Sequence, residues 1–135
     1  MRRLLFIFIA SVAILTIASA EIIKSGSLQA SSDGANVTMR WITEDENGIQ
    51  RFDVQRRSGT DGNFTTISTF DPKGPSLYEF IDYSAFLKAS TIYQYQIVVH
   101  FSDNTKTPQV FGPVTVSHTV SGVRRTWGSI KSMFR

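Results

Sequence analysis

The chain has 135 residues, a formal charge of +3, no cysteine and 41% hydrophobic residues. That length corresponds to one domain, and the missing cysteine excludes disulfide staples and thiolate metal sites. Charged residues are 19% and aromatics 12%, a composition that can fold around a core and does not suit a disordered chain.

Residues 1–20 read as a signal peptide. Arg2 and Arg3 give a positive start, Leu4 to Ile17 is apolar and uncharged, and Ala18-Ser19-Ala20 offers small residues for cleavage before Glu21. The alternative is an uncleaved anchor at the short limit for crossing a bilayer. The chain is expected to be exported, to the periplasm, the cell surface or the medium. Removing Arg2 and Arg3 lowers the charge to +1, so the high isoelectric point does not argue for nucleic acid. Four cations and no acid follow His118, which leaves residues 21–117 at −3. A mildly acidic body therefore carries a basic tail.

The body reads as strands. Leu28 and Ala30 mark a weak first one. Val37, Met39 and Trp41 alternate with polar residues, as do Phe52 and Val54, then Tyr78 and Phe80. The longest alternation is Tyr93, Tyr95, Ile97, Val99 and Phe101. Val114 and Val116 predict a short last strand, with His118 just beyond it. Turn signals separate these runs at Asp33-Gly34, Asn47-Gly48, Asp61-Gly62, Lys73-Gly74-Pro75 and Asp103-Asn104. Short strands at this spacing, with no helical pattern between them, predict an antiparallel β-sandwich.

Candidate chemistry is sparse. The two histidines, His100 and His118, have no nucleophile motif beside them, so no catalytic residue is assigned. Glu44, Asp45 and Glu46 crowd one loop, but not at the alternate spacing of a calcium loop, and they read as a solvated acidic loop. No metal and no cofactor is expected. Arg51, Arg56 and Arg57 lie on one strand near Asp53, and cross-strand pairing explains them better than a nucleic-acid groove. Two glycosylation sequons, Asn36-Val37-Thr38 and Asn63-Phe64-Thr65, have meaning only where the exporting cell attaches N-linked glycans.

In combination these residues resemble a fibronectin type III module, in the variant common in secreted bacterial proteins. The resemblance rests on Trp41, Thr43-Glu44-x-Glu46-Asn47-Gly48, Phe52-Asp53-Val54-Gln55-Arg56-Arg57-Ser58 and Asp61-Gly62-Asn63-Phe64. Tyr78-x-Phe80-x-Asp82 and Leu87-x-x-x-Thr91-x-Tyr93-x-Tyr95 complete it. It covers about residues 28–117 and departs at Ala89, where the family usually has proline. It implies a seven-stranded immunoglobulin-like sandwich over residues 21–117. Its core would hold Trp41, Phe52, Val54, Tyr78, Phe80, Leu87, Tyr93, Tyr95 and Ile97. Tyr93 would form a corner whose hydroxyl bonds back to the chain upstream.

Residues 118–135 read as a separate basic amphipathic tail. Trp127, Ile130 and Phe134 share one helical face, bordered by Met133, while Arg124 and Arg125 fall elsewhere. A helix this short is marginal alone and gains order by burying that face. Its own sandwich, a groove on an envelope partner, or weak contact with an anionic membrane can each accept it. The functional expectation is a non-catalytic binding or structural module for an unidentified protein or cell-surface component. The alternatives are an envelope assembly or attachment subunit docking through its tail and, last, an enzyme.

Overall fold

The computed structural model describes residues 21–87 and 90–119, without the side chains of 86, 87 and 90. The expected signal peptide therefore lies outside the described residues. So do residues 120–135 of the tail, with Arg124, Arg125, Trp127, Ile130, Met133 and Phe134, and so does the side chain of Leu87.

The described residues form an all-β sandwich of seven strands. They are β1 (Gln29–Ser32), β2 (Val37–Ile42), β3 (Ile49–Ser58), β4 (Thr65–Phe70), β5 (Leu77–Asp82), β6 (Ser90–Phe101) and β7 (Gln109–Thr119). A single 3-10 turn, Tyr83–Leu87, follows β5. One sheet has the order β1-β2-β5 and the other β4-β3-β6-β7. All pairings are antiparallel.

The alternation read in the sequence sets which side chains meet between the sheets. Val37, Met39 and Trp41 of β2 face inward, as do Phe52 and Val54 of β3 and Tyr93, Tyr95, Ile97 and Val99 of β6. Trp41 has no solvent exposure. Its ring stacks on Tyr78 at 5.3 Å and meets the edge of Phe70 at 5.4 Å. Tyr78 is buried, and Phe80 packs half-buried against the same cluster. Aromatic contacts of this kind add about 0.5–1.5 kcal/mol each to the area they bury. The core thus fills without a disulfide.

The last strand differs from expectation. Sequence spacing limits it to the neighbourhood of Val114–Val116 and leaves His118 beyond it. In the structure β7 runs eleven residues, to Thr119, and His118 is fully buried within it. The reason is phase: Val114, Val116 and His118 are two residues apart and turn to the same face. His118 Nδ1 lies 2.6 Å from Ser32 Oγ, so the imidazole spans the side of the sandwich between β7 and β1.

Candidate functional site

Three clusters of polar side chains stand out. Two are structural, and their geometry shows why.

The first lies at one end of the sandwich. Asp82, the last residue of β5, is only 3% exposed. It receives the Tyr95 hydroxyl at 2.7 Å, Arg56 Nη1 at 2.6 Å and the Ser84 hydroxyl at 2.6 Å. Burial pushes the Asp82 carboxyl up. The bonds from Ser84, Tyr95 and Arg56, with the charge of Arg56, outweigh it and hold the group below its ordinary range. Burial in turn drives the Tyr95 hydroxyl far up, and the adjoining Asp82 carboxylate adds to the shift. Arg56 also sits 5.0 Å from the Tyr93 ring centre. Every member is engaged with another, and the result ties the two sheets together. The family corner expected at Tyr93 is weak here. Its hydroxyl reaches the Ala85 carbonyl only at 3.5 Å, while the short bond belongs to Tyr95.

The second lies at the opposite end. Glu46 turns inward from the acidic loop. Its Oε1 accepts the Tyr78 hydroxyl at 2.8 Å and the backbone amides of Lys73 and Gly74 at 3.0 and 3.1 Å. Its Oε2 accepts the Thr43 hydroxyl at 3.0 Å. Asp45 accepts the Asn47 amide at 2.9 Å. These carboxylates fasten the β4–β5 connection and their own turn. Burial, opposed by the Lys73 amide and reinforced by Glu46, pushes the Tyr78 hydroxyl up to about 12. Among the described residues, no group of three or more His, Asp or Glu is arranged to hold a metal ion.

The third cluster covers the outer face of the four-stranded sheet. On β3 the outward positions are Arg51, Asp53, Gln55 and Arg57, and on β6 they include Gln94, Gln96, Val98 and His100. Antiparallel register sets these side chains opposite one another, and they bond across strands. In one row Gln96 Nε2 donates to Gln55 Oε1 at 2.8 Å, and Gln55 Nε2 donates to Thr66 Oγ1 at 3.2 Å. In the next, Arg57 Nε donates to Gln94 Oε1 at 2.8 Å, and Gln94 Nε2 donates to Thr115 Oγ1 at 3.0 Å. Farther along, His100 Nε2 lies 2.8 Å from Asp53 Oδ2. Asp53 Oδ1 accepts the Thr69 hydroxyl at 3.0 Å and Arg51 Nε at 3.3 Å. Val98 pairs with Val110 between these rows.

The three arginines of β3 thus have three environments. Arg56 is held by Asp82, and Arg51 by Asp53. Among the described residues, Arg57 bonds neutral acceptors alone: Gln94 at 2.8 Å and the Gly62 carbonyl at 3.1 Å. Its guanidinium lies 4.5 Å from the Phe64 ring centre. The sequence shows the arginine cluster but not this division, which depends on cross-strand register.

No family model matches the chain, and no curated protein matches it either. Among solved structures the chain is similar to a family 76 glycoside hydrolase from a bovine Bacteroides thetaiotaomicron strain. The two are 15% identical, with a TM-score of 0.47. The match covers 70% of this chain and 20% of that one, so the chain spans about a fifth of the length of its match. A likeness at that level carries no argument about activity.

Proposed function

We propose that the chain is a non-catalytic, exported binding or structural module of the fibronectin type III kind. It contacts a protein or cell-surface component through the outer face of its four-stranded sheet. The observation that carries this reading is the hydrogen-bonded lattice on that face. Gln55, Gln94 and Gln96 are held by their neighbours, so their remaining donors and acceptors are oriented before any ligand arrives. Side chains already ordered lose less entropy on binding. The order of strands in the two sheets and the buried Trp41 support the family assignment. The commitment of both histidines to cross-strand contacts supports a binding role over catalysis.

The test is capture of envelope components on the immobilised chain. The triple variant Gln55→Ala, Gln94→Ala, Gln96→Ala should stay folded and lose the captured component. Equal capture by the variant would overturn the reading.

The split of charge favours a second reading, attachment or envelope assembly through the tail. Residues 21–117 are net negative, and the four cations beyond them have no acidic neighbours in sequence. Deleting residues 122–135 should then release the protein from the cell envelope while leaving the lattice face able to bind.

A further inference from the structure

The binding face has an unbalanced charge, and that narrows its ligand. Arg57 is half-buried in the row Phe64–Arg57–Gln94–Thr115. Among the described residues, no carboxylate lies within ion-pair distance of it. Asp61 stands exposed in the same turn without pairing to it. Phe64 supports the guanidinium on one side, and Gln94 and the Gly62 carbonyl hold it in plane. A long cationic side chain is normally disordered on a surface and loses entropy when it binds. Here that loss has been met by folding, and the charge still has no counter-ion. A planar guanidinium in this state suits a carboxylate, which it can engage with two parallel N–H bonds.

The row beside it, Gln96–Gln55–Thr66, supplies amides and a hydroxyl one step along the strands from Arg57. Neighbouring strands stand about 4.8 Å apart, so these groups form a grid on that scale. They carry no net charge and suit hydroxyl partners. An extended peptide would bind through its backbone, and backbone groups are offered at a sheet edge, not on a face.

We propose that this face binds a carboxylate-bearing glycan, a polymer or oligomer containing uronic acid. The Arg57 guanidinium receives the carboxylate, and the side chains of Gln55, Gln94 and Gln96 receive neighbouring hydroxyls. The proposal rests on the reading of this face as the binding surface.

The test uses the full chain, as the producing cell exports it, titrated with tetragalacturonate and with its neutral methyl ester. Binding is followed by calorimetry and by amide chemical shifts. The acidic sugar should shift residues of β3 and β6 on this face and should weaken with salt. Arg57→Gln should lower its affinity at least about tenfold, with melting unchanged. The methyl ester should bind the wild type about as weakly as the acid binds the variant. Gln96→Ala leaves Arg57 intact and should weaken both ligands together. Absence of binding, equal binding by Arg57→Gln, or equally tight binding of oligoglutamate overturns the glycan assignment. If tetragalacturonate fails while envelope capture still requires this face, the ligand class is wrong and the face stands. If both fail, both readings fall.

Discussion

Arg56 and Asp82 join the two sheets of the sandwich through a contact of 2.6 Å between Nη1 and Oδ2. Arg56 comes from near the end of β3, the second strand in space of the four-stranded sheet, and Asp82 from the end of β5, an edge strand of the three-stranded sheet. Removing only the cation leaves a buried carboxylate with no counter-charge, held by the Tyr95 and Ser84 hydroxyls and the Ser84 amide. Arg56→Met is expected to destabilise the protein by about 3 kcal/mol. Replacing both, as Arg56→Met with Asp82→Leu, should recover part of that loss. Urea denaturation of the three proteins checks both statements, and a double variant no better than the single would contradict the desolvation argument.

The same carboxylate gives an acid-side signature. Its folded-state pKa is lowered, so its stabilisation is fully present above the unfolded value of about 3.9 and is lost as pH falls through the lower folded value. Between pH 7 and 5 the advantage of the wild type over Asp82→Asn should stay constant. Below about pH 4 it should shrink. Denaturant midpoints from pH 6 to pH 2 measure it, and a difference independent of pH down to 2 would count against it.

Tyr78 gives the opposite signature at high pH. Its folded pKa is raised to about 12, so the stabilisation is complete below the unfolded value near 10 and disappears as pH climbs towards 12. The full effect is about 2–3 kcal/mol, at 1.36 kcal/mol for each unit. Tyr78→Phe has no hydroxyl to ionise and should show a flatter curve across that window. In the ultraviolet absorbance of the wild type Tyr78, Tyr93 and Tyr95 should titrate late, and Tyr78→Phe should lack one of these late phenols.

Gly112 sits opposite the register shift between Tyr95 and Ile97, with φ at +102°. A Cβ there would stand 3.1 Å from the Tyr95 carbonyl oxygen and 3.3 Å from the Val114 nitrogen, both backbone atoms with little freedom to move. Gly112→Ala is expected to cost about 1–3 kcal/mol, read from its melting temperature. Gly48, also at positive φ, has open space around it. Gly48→Ala should therefore show backbone strain without the steric part, and so a smaller loss.

The lattice on the outer face was only partly legible in the sequence. Gln94, Gln96 and His100 alternate with the inward tyrosines and Ile97, so their outward direction follows from a period of two. Their partners do not. Gln96 meets Gln55 across 41 residues of chain, and a slip of one residue would send every one of these side chains to the other face. Arg51, Arg56 and Arg57 look alike in the sequence. Register and the turn at Asp61-Gly62 separate the paired from the unpaired.

Local patterning determined that this chain folds as an antiparallel β-sandwich, with Trp41 and the alternating residues of β6 inside, because pleating and burial act over neighbouring residues. Tertiary structure alone decided that Asp82 is gripped by Arg56 and Tyr95, that Glu46 fastens a distant turn, and that His118 is buried against Ser32. Each of those contacts joins strands far apart in sequence, and a polar side chain carries no local mark of the partner that burial will require it to find.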